Sequence, residues 1–181
     1  MAEDNAAAPQ TGTAGNAPTP SFNLVGQYIR DLSFENPGAP GSNLSGGASP
    51  SFNVSINVSV KKQADDLYAV ELNLNAKAQR DATLLFNVEL AYGGVFRVKN
   101  IPENQLAPLL MVECPRLVFP FARQVLANTV QHGGFPPLMM EPVDFQALYL
   151  QNLRKLQAQQ EADAQGAAAP PPAAGGKIKN N

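Results

Sequence analysis

Cys114 is the only cysteine and His132 the only histidine in the 181 residues. They are therefore the only cysteine–histidine pair that could act as a nucleophile with its base. A cysteine nucleophile needs a basic group beside it. Cys114 precedes a proline within an apolar stretch, which favours a buried structural thiol. His132 precedes Gly133 and Gly134, where a histidine commonly interacts with the last carbonyl groups of a helix. One cysteine and one histidine also exclude a disulfide within the chain and a His-rich or multi-cysteine metal centre. We therefore predict no catalytic residues, no metal, no cofactor and no enzyme activity.

Three carboxylates, Asp31, Glu35 and Glu89, are the next residues whose types could do chemistry. Two carboxylates can act as general acid and general base, but no aligned nucleophile or metal ligand accompanies these three in the sequence. Acidic side chains on the outer face of a sheet are most often simply solvated. The alternative is a docking patch for a basic partner.

Residues 119–140 combine large apolar side chains with prolines and glycines that prevent one continuous helix. Several of those side chains are therefore expected on loops, and methionine is common on adaptable binding surfaces. Each residue alone could fill the core, whereas the group favours an apolar groove for an extended peptide. The group consists of Phe119, Phe121, Phe135, Leu138, Met139 and Met140.

The first half of the chain shows the period-2 alternation of half-buried strands. In residues 51–60, apolar side chains occupy the even positions, and Ser or Asn occupies the odd ones. Residues 68–77 and 84–92 alternate in the same way, and residues 79–81 form a short hairpin connection between them. Residues 22–34 are a fourth strand with a less regular pattern. Four consecutive strands without intervening helices predict an antiparallel meander.

The second half changes to a helical period. Residues 104–113 predict a short helix, and Pro120 fits the first turn of a helix that continues to Gln131. Asp144 is a predicted N-cap for a last helix. Strands first and helices afterwards predict an α+β fold. The apolar stripe of the last helix consists of Phe145, Leu148, Tyr149, Leu153 and Leu156.

Composition separates a folded body from two tails. Residues 1–20 and 163–181 contain too few large apolar residues to offset the entropy of ordering, so both are predicted to be disordered. Residues 21–162 are predicted to form one domain. The net charge of −2 argues against a nucleic-acid-binding protein, which normally carries a basic surface. The N-terminus lacks the features of a secretory signal and no apolar stretch is long enough to cross a bilayer, so we expect an unsecreted soluble protein.

Four segments of the predicted domain form a specific combination, although any one alone would not be specific. They are YIRDLSFENPGAP (28–40), AYGGVF (91–96), CPRLVFPFAR (114–123) and GFPPLMMEPVDFQAL (134–148). In the order and spacing of these segments, the chain resembles the SecB family of bacterial protein-export chaperones. The resemblance covers the whole predicted domain and leaves out only the two tails.

The resemblance implies a four-stranded antiparallel sheet with helices packed on one face, assembled into a homotetramer that is a dimer of dimers. It also implies a cytoplasmic, ATP-independent holdase. Such a protein binds unfolded precursor proteins in apolar grooves, keeps them competent for translocation and delivers them to SecA, the motor of the Sec export pathway. Neither nucleic acid nor direct insertion into the membrane is implied.

Site residues follow from the same resemblance. SecA docks partly through a basic tail on an acidic sheet surface, which corresponds here to Asp31, Glu35 and Glu89. An apolar family contact two residues before the last of them corresponds to Asn87, where this chain departs from the family. Phe52, Val54 and Ile56 correspond to client-contact positions of the family. With five residues of the apolar group above, Phe119, Phe135, Leu138, Met139 and Met140, they form the predicted client groove.

Two other classes of function remain as alternatives. A small-molecule carrier or an enzyme would use a pocket lined by Phe119, Phe135 and Met139. Such a carrier would copurify with one defined ligand. A structural subunit would use its exposed strands only for self-assembly, and would polymerise beyond a closed tetramer.

Overall fold

The computed structural model describes residues 19–41 and 49–167, so most of both predicted tails lies outside the described residues. The strands precede the helices, as predicted for an α+β fold. A π-helical turn, Leu109–Glu113, joins the first two helices. The elements are β1 (Ser21–Glu35), β2 (Ser51–Ala64), β3 (Leu67–Arg80), β4 (Thr83–Lys99), α1 (Glu103–Pro108), α2 (Cys114–His132) and α3 (Phe145–Ala167).

The four strands form one antiparallel sheet in the order β1-β4-β3-β2. Strands β2, β3 and β4 form the predicted meander, and the β3–β4 turn contains Asp81 at a φ of 54°, which Asp tolerates better than most residues. The prediction of a simple meander is wrong for β1, which pairs with β4 rather than with β2. Tight turns force β2, β3 and β4 to be neighbours. The longer connection after β1 lets that strand reach the free edge of β4.

Two bulges explain the irregular pattern of β1. The register with β4 shifts between Leu24 and Gly26 and again between Ile29 and Asp31, so Val25 and Arg30 are extra residues. Each bulge reverses the alternation, because two residues of the bulged strand then oppose one residue of the partner. The side chains on the helix-facing side of β1 are therefore Phe22, Leu24, Gln27, Ile29, Leu32 and Phe34.

The helices cover one face of the sheet, which we call the inner face, and the outer face is polar. The core lies between the central strands β3 and β4 and helix α2. Alternate residues of both strands are almost fully buried, as expected for a sheet with one packed face. The largest fully buried side chains of this core include Leu72, Leu90, Phe96, Val118, Leu126 and Phe145.

Helix α2 begins six residues before the start that Pro120 predicts. It begins at Cys114, and Pro120 lies inside it. Proline removes one backbone hydrogen bond and usually kinks a helix. Here the i−4 residue Arg116 is exposed, so its carbonyl can bind water, while Val118 and Ala122 are buried on the opposite side. Packing therefore keeps the helix continuous through the proline.

Helix α3 begins as predicted, because Oδ1 of Asp144 accepts a hydrogen bond from the backbone N–H of Ala147 at 2.9 Å. The helix extends to Ala167, five residues beyond the predicted domain boundary at residue 162. The predicted apolar stripe packs only at its beginning. Phe145 is buried, whereas Leu153 and Leu156 near the other end are exposed. No helix among the described residues is long and apolar enough to cross a membrane.

Candidate functional site

The three carboxylates predicted to form a docking surface lie on one face of the sheet. Ser33 of β1 pairs directly with Glu89 of β4, Asp31 pairs with Ala91, and Glu35 pairs with Asn87. Asp31 and Glu35 therefore flank Ser33 on the same side of β1, each diagonal to Glu89. All three acidic side chains are exposed on the outer face. We call Asp31, Glu35 and Glu89 the acidic patch.

Neighbouring amides fix the orientation of the Glu89 carboxylate. Nδ2 of Asn75 donates to Oε1 of Glu89 at 2.9 Å and to Oδ1 of Asn87 at 3.2 Å. Nδ2 of Asn87 also donates to Oε1 of Glu89, at 3.4 Å. Asn87, the position that departs from the family pattern, is thus a nearly buried member of this cluster. At this position the surface is polar rather than apolar.

A depression of about 300 Å³ adjoins the acidic patch and extends over β3 to β2. Its lining includes two patch carboxylates, Asp31 and Glu89, and one cation, Arg30. Among the described residues, no Lys, Arg or His nitrogen lies within ion-pair distance of Asp31, Glu35 or Glu89. The acidic patch therefore presents uncompensated negative charge toward solvent, which suits a cationic group of a partner.

The apolar candidates converge at the opposite, inner face. Phe52 of β2 and Phe86 of β4 lie on either side of Ala78 of β3, and the small side chain of Ala78 lets the two ring centroids approach to 6.4 Å. The ring of Phe135, from the loop after α2, packs 4.9 Å from Phe86. Leu138 of the same loop completes this group. The residues enclose a recess of about 240 Å³, which we call the aromatic recess.

The groove predicted from the sequence does not include Phe86, which lies at the centre of this cluster. Its position on the inner face of β4 follows from alternation, but its contacts with β2 and with the loop depend on the sheet order. Phe34 of β1 stacks on Phe86 at 5.8 Å and also packs against Gly133. A Cβ at Gly133 would lie 2.1 Å from Cζ of Phe34, so only glycine allows this approach. Leu85, an extra residue at a register shift, also lines the recess.

The structure divides the eight predicted groove residues into four groups, of which the fourth, Phe119 and Met140, belongs to the core. Phe52, Phe135 and Leu138 line the aromatic recess. Val54 and Ile56 follow Phe52 along the same face of β2, with Val54 exposed and Ile56 half-buried. Met139 is 61% exposed and does not line the recess.

The predicted roles of Phe119 and Met140 in the groove are wrong for the folded chain. Phe119 is 6% exposed and Met140 7% exposed, and both belong to the core. The ring of Phe119 packs edge-on against Phe145 at 5.7 Å. Since α2 begins at Cys114, Phe119 is on the buried face of a continuous helix rather than on a loop. The alternative small-molecule pocket of Phe119, Phe135 and Met139 is therefore not formed.

Cys114 and His132 cannot act together within one chain. They are the first and last residues of α2, which places them about 27 Å apart at 1.5 Å per residue. Cys114 is fully buried, and burial raises the pKa of its thiol to about 12, with the negative charge of Glu113 acting in the same direction. A thiol that stays protonated near neutral pH is a poor nucleophile.

A second recess of about 540 Å³ lies between the α1 region and α3. The π-helical turn contributes Leu109 and Val112, and α3 contributes Tyr149 and Leu150. Ile101, which follows β4, lines it as well. This recess is separate from the aromatic recess, since the two share no lining residue.

Comparison with known proteins places this geometry in a family. Residues 15–156 match the model of the family described as SecB, preprotein translocase subunit SecB. The chain belongs to the SecB family. The match includes β1 to β4, α1, α2 and about half of α3, so both the acidic patch and the aromatic recess lie within the SecB region.

Curated SecB relatives share about half of the residues over most of the chain. A protein-export protein SecB from Bradyrhizobium sp. strain BTAi1 is 48% identical over 92% of this chain and 97% of its own length. One from Rhodopseudomonas palustris strain BisB5 is 49% identical over 88% of this chain and 98% of its own length. The chain therefore corresponds to nearly the whole length of these SecB proteins.

A solved structure supports the fold independently. A SecB-like chaperone from Mycobacterium tuberculosis, determined in complex with a ChAD peptide from an antitoxin, superposes with a TM-score of 0.56. The superposition covers 67% of this chain and 90% of the other, at 12% sequence identity. At that identity the similarity concerns the fold, a four-stranded antiparallel sheet with helices on one face.

Proposed function

We propose that this SecB protein is an ATP-independent holdase that binds unfolded precursor proteins and delivers them to the SecA motor of the Sec export pathway. The observation that carries the proposal is the aromatic recess beside the edge strand β2. Phe52 is 52% exposed at its rim, while Phe86 forms its buried floor. An extended client segment can place apolar side chains there without any specific sequence being read.

The energetics suit a protein that holds many clients. Removing apolar surface of a client from water gains about 25 cal/mol per Å². A recess of this size accepts one or two side chains, so a single subsite binds weakly. Several subsites along one unfolded chain bind by avidity, because each engaged subsite raises the effective concentration at the next.

Apolar surface left uncovered on the single chain supports assembly as a homotetramer, a dimer of dimers. Ile29 and Leu32 are exposed on the inner face of the edge strand β1. Leu117 and Phe121, one helical turn apart on α2, are exposed as well. Surfaces of this kind on a soluble chain usually mark an interface between protein copies. The sheet edge and the helix would serve as two different interfaces.

The acidic patch is the proposed docking surface for SecA. It lies on the outer face, whereas the aromatic recess lies on the inner face, so a client and SecA can be bound at once. A basic segment of SecA would pair with Asp31, Glu35 and Glu89 and be steered there by their charge. The proposal assigns no chemical step and no cofactor to the protein, and places it in the cytoplasm, where precursors await export.

Light scattering combined with an aggregation assay tests the proposal. The purified protein should have the mass of about four chains, and it should form a larger stable complex with a denatured client. It should suppress aggregation of several unrelated denatured proteins without nucleotide. Failure to retard aggregation of any such client would contradict the holdase function. Copurification of one defined ligand would instead indicate a carrier, and open-ended polymers would indicate a structural subunit.

A further inference from the structure

Arg30 is a cation placed inside the acidic patch by a β-bulge. Because Arg30 is the extra residue between the Ile29–Tyr92 and Asp31–Ala91 pairs, it and Asp31 both face outward. Regular alternation would have put neighbouring residues on opposite faces. Arg30 and Asp31 consequently line the same depression, together with Glu89. An unrestrained guanidinium here could neutralise Asp31 and repel a basic partner.

Glu71 of β3 holds that guanidinium. Nε of Arg30 donates to Oε2 of Glu71 at 2.9 Å, and a terminal nitrogen donates to Oδ1 of Asn73 at 3.3 Å. The other carboxylate oxygen, Oε1, accepts a hydrogen bond from the hydroxyl of Tyr28 at 3.0 Å. The Glu71 side chain is only 18% exposed, while that of Arg30 is 53% exposed. Both oxygens of Glu71 are thus engaged, and its carboxylate is fixed.

We propose that Glu71 is a positioning residue for docking of SecA: it neutralises Arg30 and holds it on β3, away from Asp31. This inference rests on the docking function proposed above for the acidic patch. Glu71 need not contact the partner, because it acts through Arg30. The arrangement leaves Asp31 and Glu89 free to bind a lysine or arginine side chain of the partner.

Four variants distinguish this positioning role of Glu71 from a general contribution of negative charge to SecA binding. Glu71→Gln keeps one acceptor oxygen for Arg30 and an amide NH2 that can donate to the hydroxyl oxygen of Tyr28, but removes the charge that neutralises Arg30. Arg30→Gln removes the cation itself. The double variant removes both. Asp65→Asn is the matched control, since it also removes one negative charge, at the β2–β3 turn. Asp65 lies about 25 Å from the depression at 3.3 Å per residue, well beyond the Debye length.

Calorimetric titration with SecA at about 0.1 M ionic strength, where the Debye length is about 10 Å, measures the four affinities. Glu71→Gln should weaken binding about threefold to tenfold, and the loss should shrink at high salt. Arg30→Gln should bind at least as tightly as the unmodified protein. The double variant should return to within about twofold of the unmodified protein, and Asp65→Asn should not change the affinity.

Two results would overturn the inference. The first is unchanged binding by Glu71→Gln. The second is a double variant that binds SecA as weakly as Glu71→Gln alone. If Glu71 contacted SecA directly or had a purely structural role, removal of Arg30 would not restore binding. Failure of the docking function itself is distinguishable: reversal of Asp31 and Glu35 would then leave SecA binding intact. Client binding by all four variants should be unchanged, because the recess lies on the other face.

Discussion

Ser33 of β1 lies directly opposite Glu89 of β4, so that Asp31 and Glu35 flank the Glu89 carboxylate from two sides. Residues that are far apart in sequence thereby form one exposed acidic surface. The same sheet turns its opposite face toward the helices, where the aromatic recess opens. The two candidate surfaces are separated by the thickness of the sheet, so each can be altered without the other.

Reversal of two charges in the acidic patch should weaken docking of SecA but not client binding. Asp31→Arg with Glu35→Arg should weaken SecA binding by about tenfold or more, because two attractive interactions become repulsive. Suppression of client aggregation should be unaffected. Titration calorimetry and the aggregation assay measure the two activities. The charge-matched control is Asp65→Arg with Glu161→Arg, both at exposed positions outside the patch. Equal loss of both activities in the patch variant would point to misfolding instead.

Replacement of Phe52 by Ser should impair client binding more than stability. The exposed half of the ring contributes little to folding, so the free energy of unfolding should fall by only about 1 kcal/mol. Loss of its contact with a client should weaken each recess by about tenfold. Aggregation suppression and denaturant unfolding measure the two effects. Val60→Ser, an exposed site farther along the same face of β2, is the control. Equal effects of the two substitutions on aggregation suppression would argue against a specific role of the recess.

Replacement by Ala should lower the stability of the protein strongly at Phe119 and hardly at all at Met139. Phe119 is buried against Phe145, so its truncation leaves a cavity and should lower the free energy of unfolding by about 3–5 kcal/mol. Met139→Ala should change stability by less than about 0.5 kcal/mol, because the side chain is mostly exposed. Denaturant titration of both variants provides the comparison. A stable Phe119→Ala variant with impaired client binding would restore Phe119 to the groove.

The Cys114 thiol should be unreactive in the folded protein. With its pKa raised to about 12, the folded chain at pH 8 contains roughly a thousandfold less thiolate than an unfolded chain. Alkylation followed by mass spectrometry should therefore be slow in buffer and fast in denaturant. The unfolded thiol loses its proton near pH 9 while the folded thiol keeps it, so stability should fall as the pH rises from about 9 toward 12. Rapid alkylation of the native protein would show that Cys114 is accessible.

The sequence by itself determined the local structure. Alternation of apolar and polar residues specified β2, β3 and most of β4, because a strand with one packed face must follow a period of two. Asp144 specified the start of α3, because its carboxylate accepts a backbone hydrogen bond from the same short segment. Residue types alone singled out Asp31, Glu35 and Glu89, and the resemblance to SecB predicted their docking role. Of the residues that line the aromatic recess, the resemblance predicted Phe52.

Structural features that depend on contacts between residues distant in sequence were decided only by the tertiary structure. The position of β1 beside β4, and the bulge that puts Arg30 and Asp31 on one face, follow from pairing that no local pattern specifies. Packing of the buried face of α2 kept the helix continuous through Pro120 and buried Phe119, which a local reading placed in the groove. The clamp of Arg30 by Glu71 joins two strands across the sheet. In each case the deciding energy comes from residues distant in sequence, so it becomes visible only once the chain has folded.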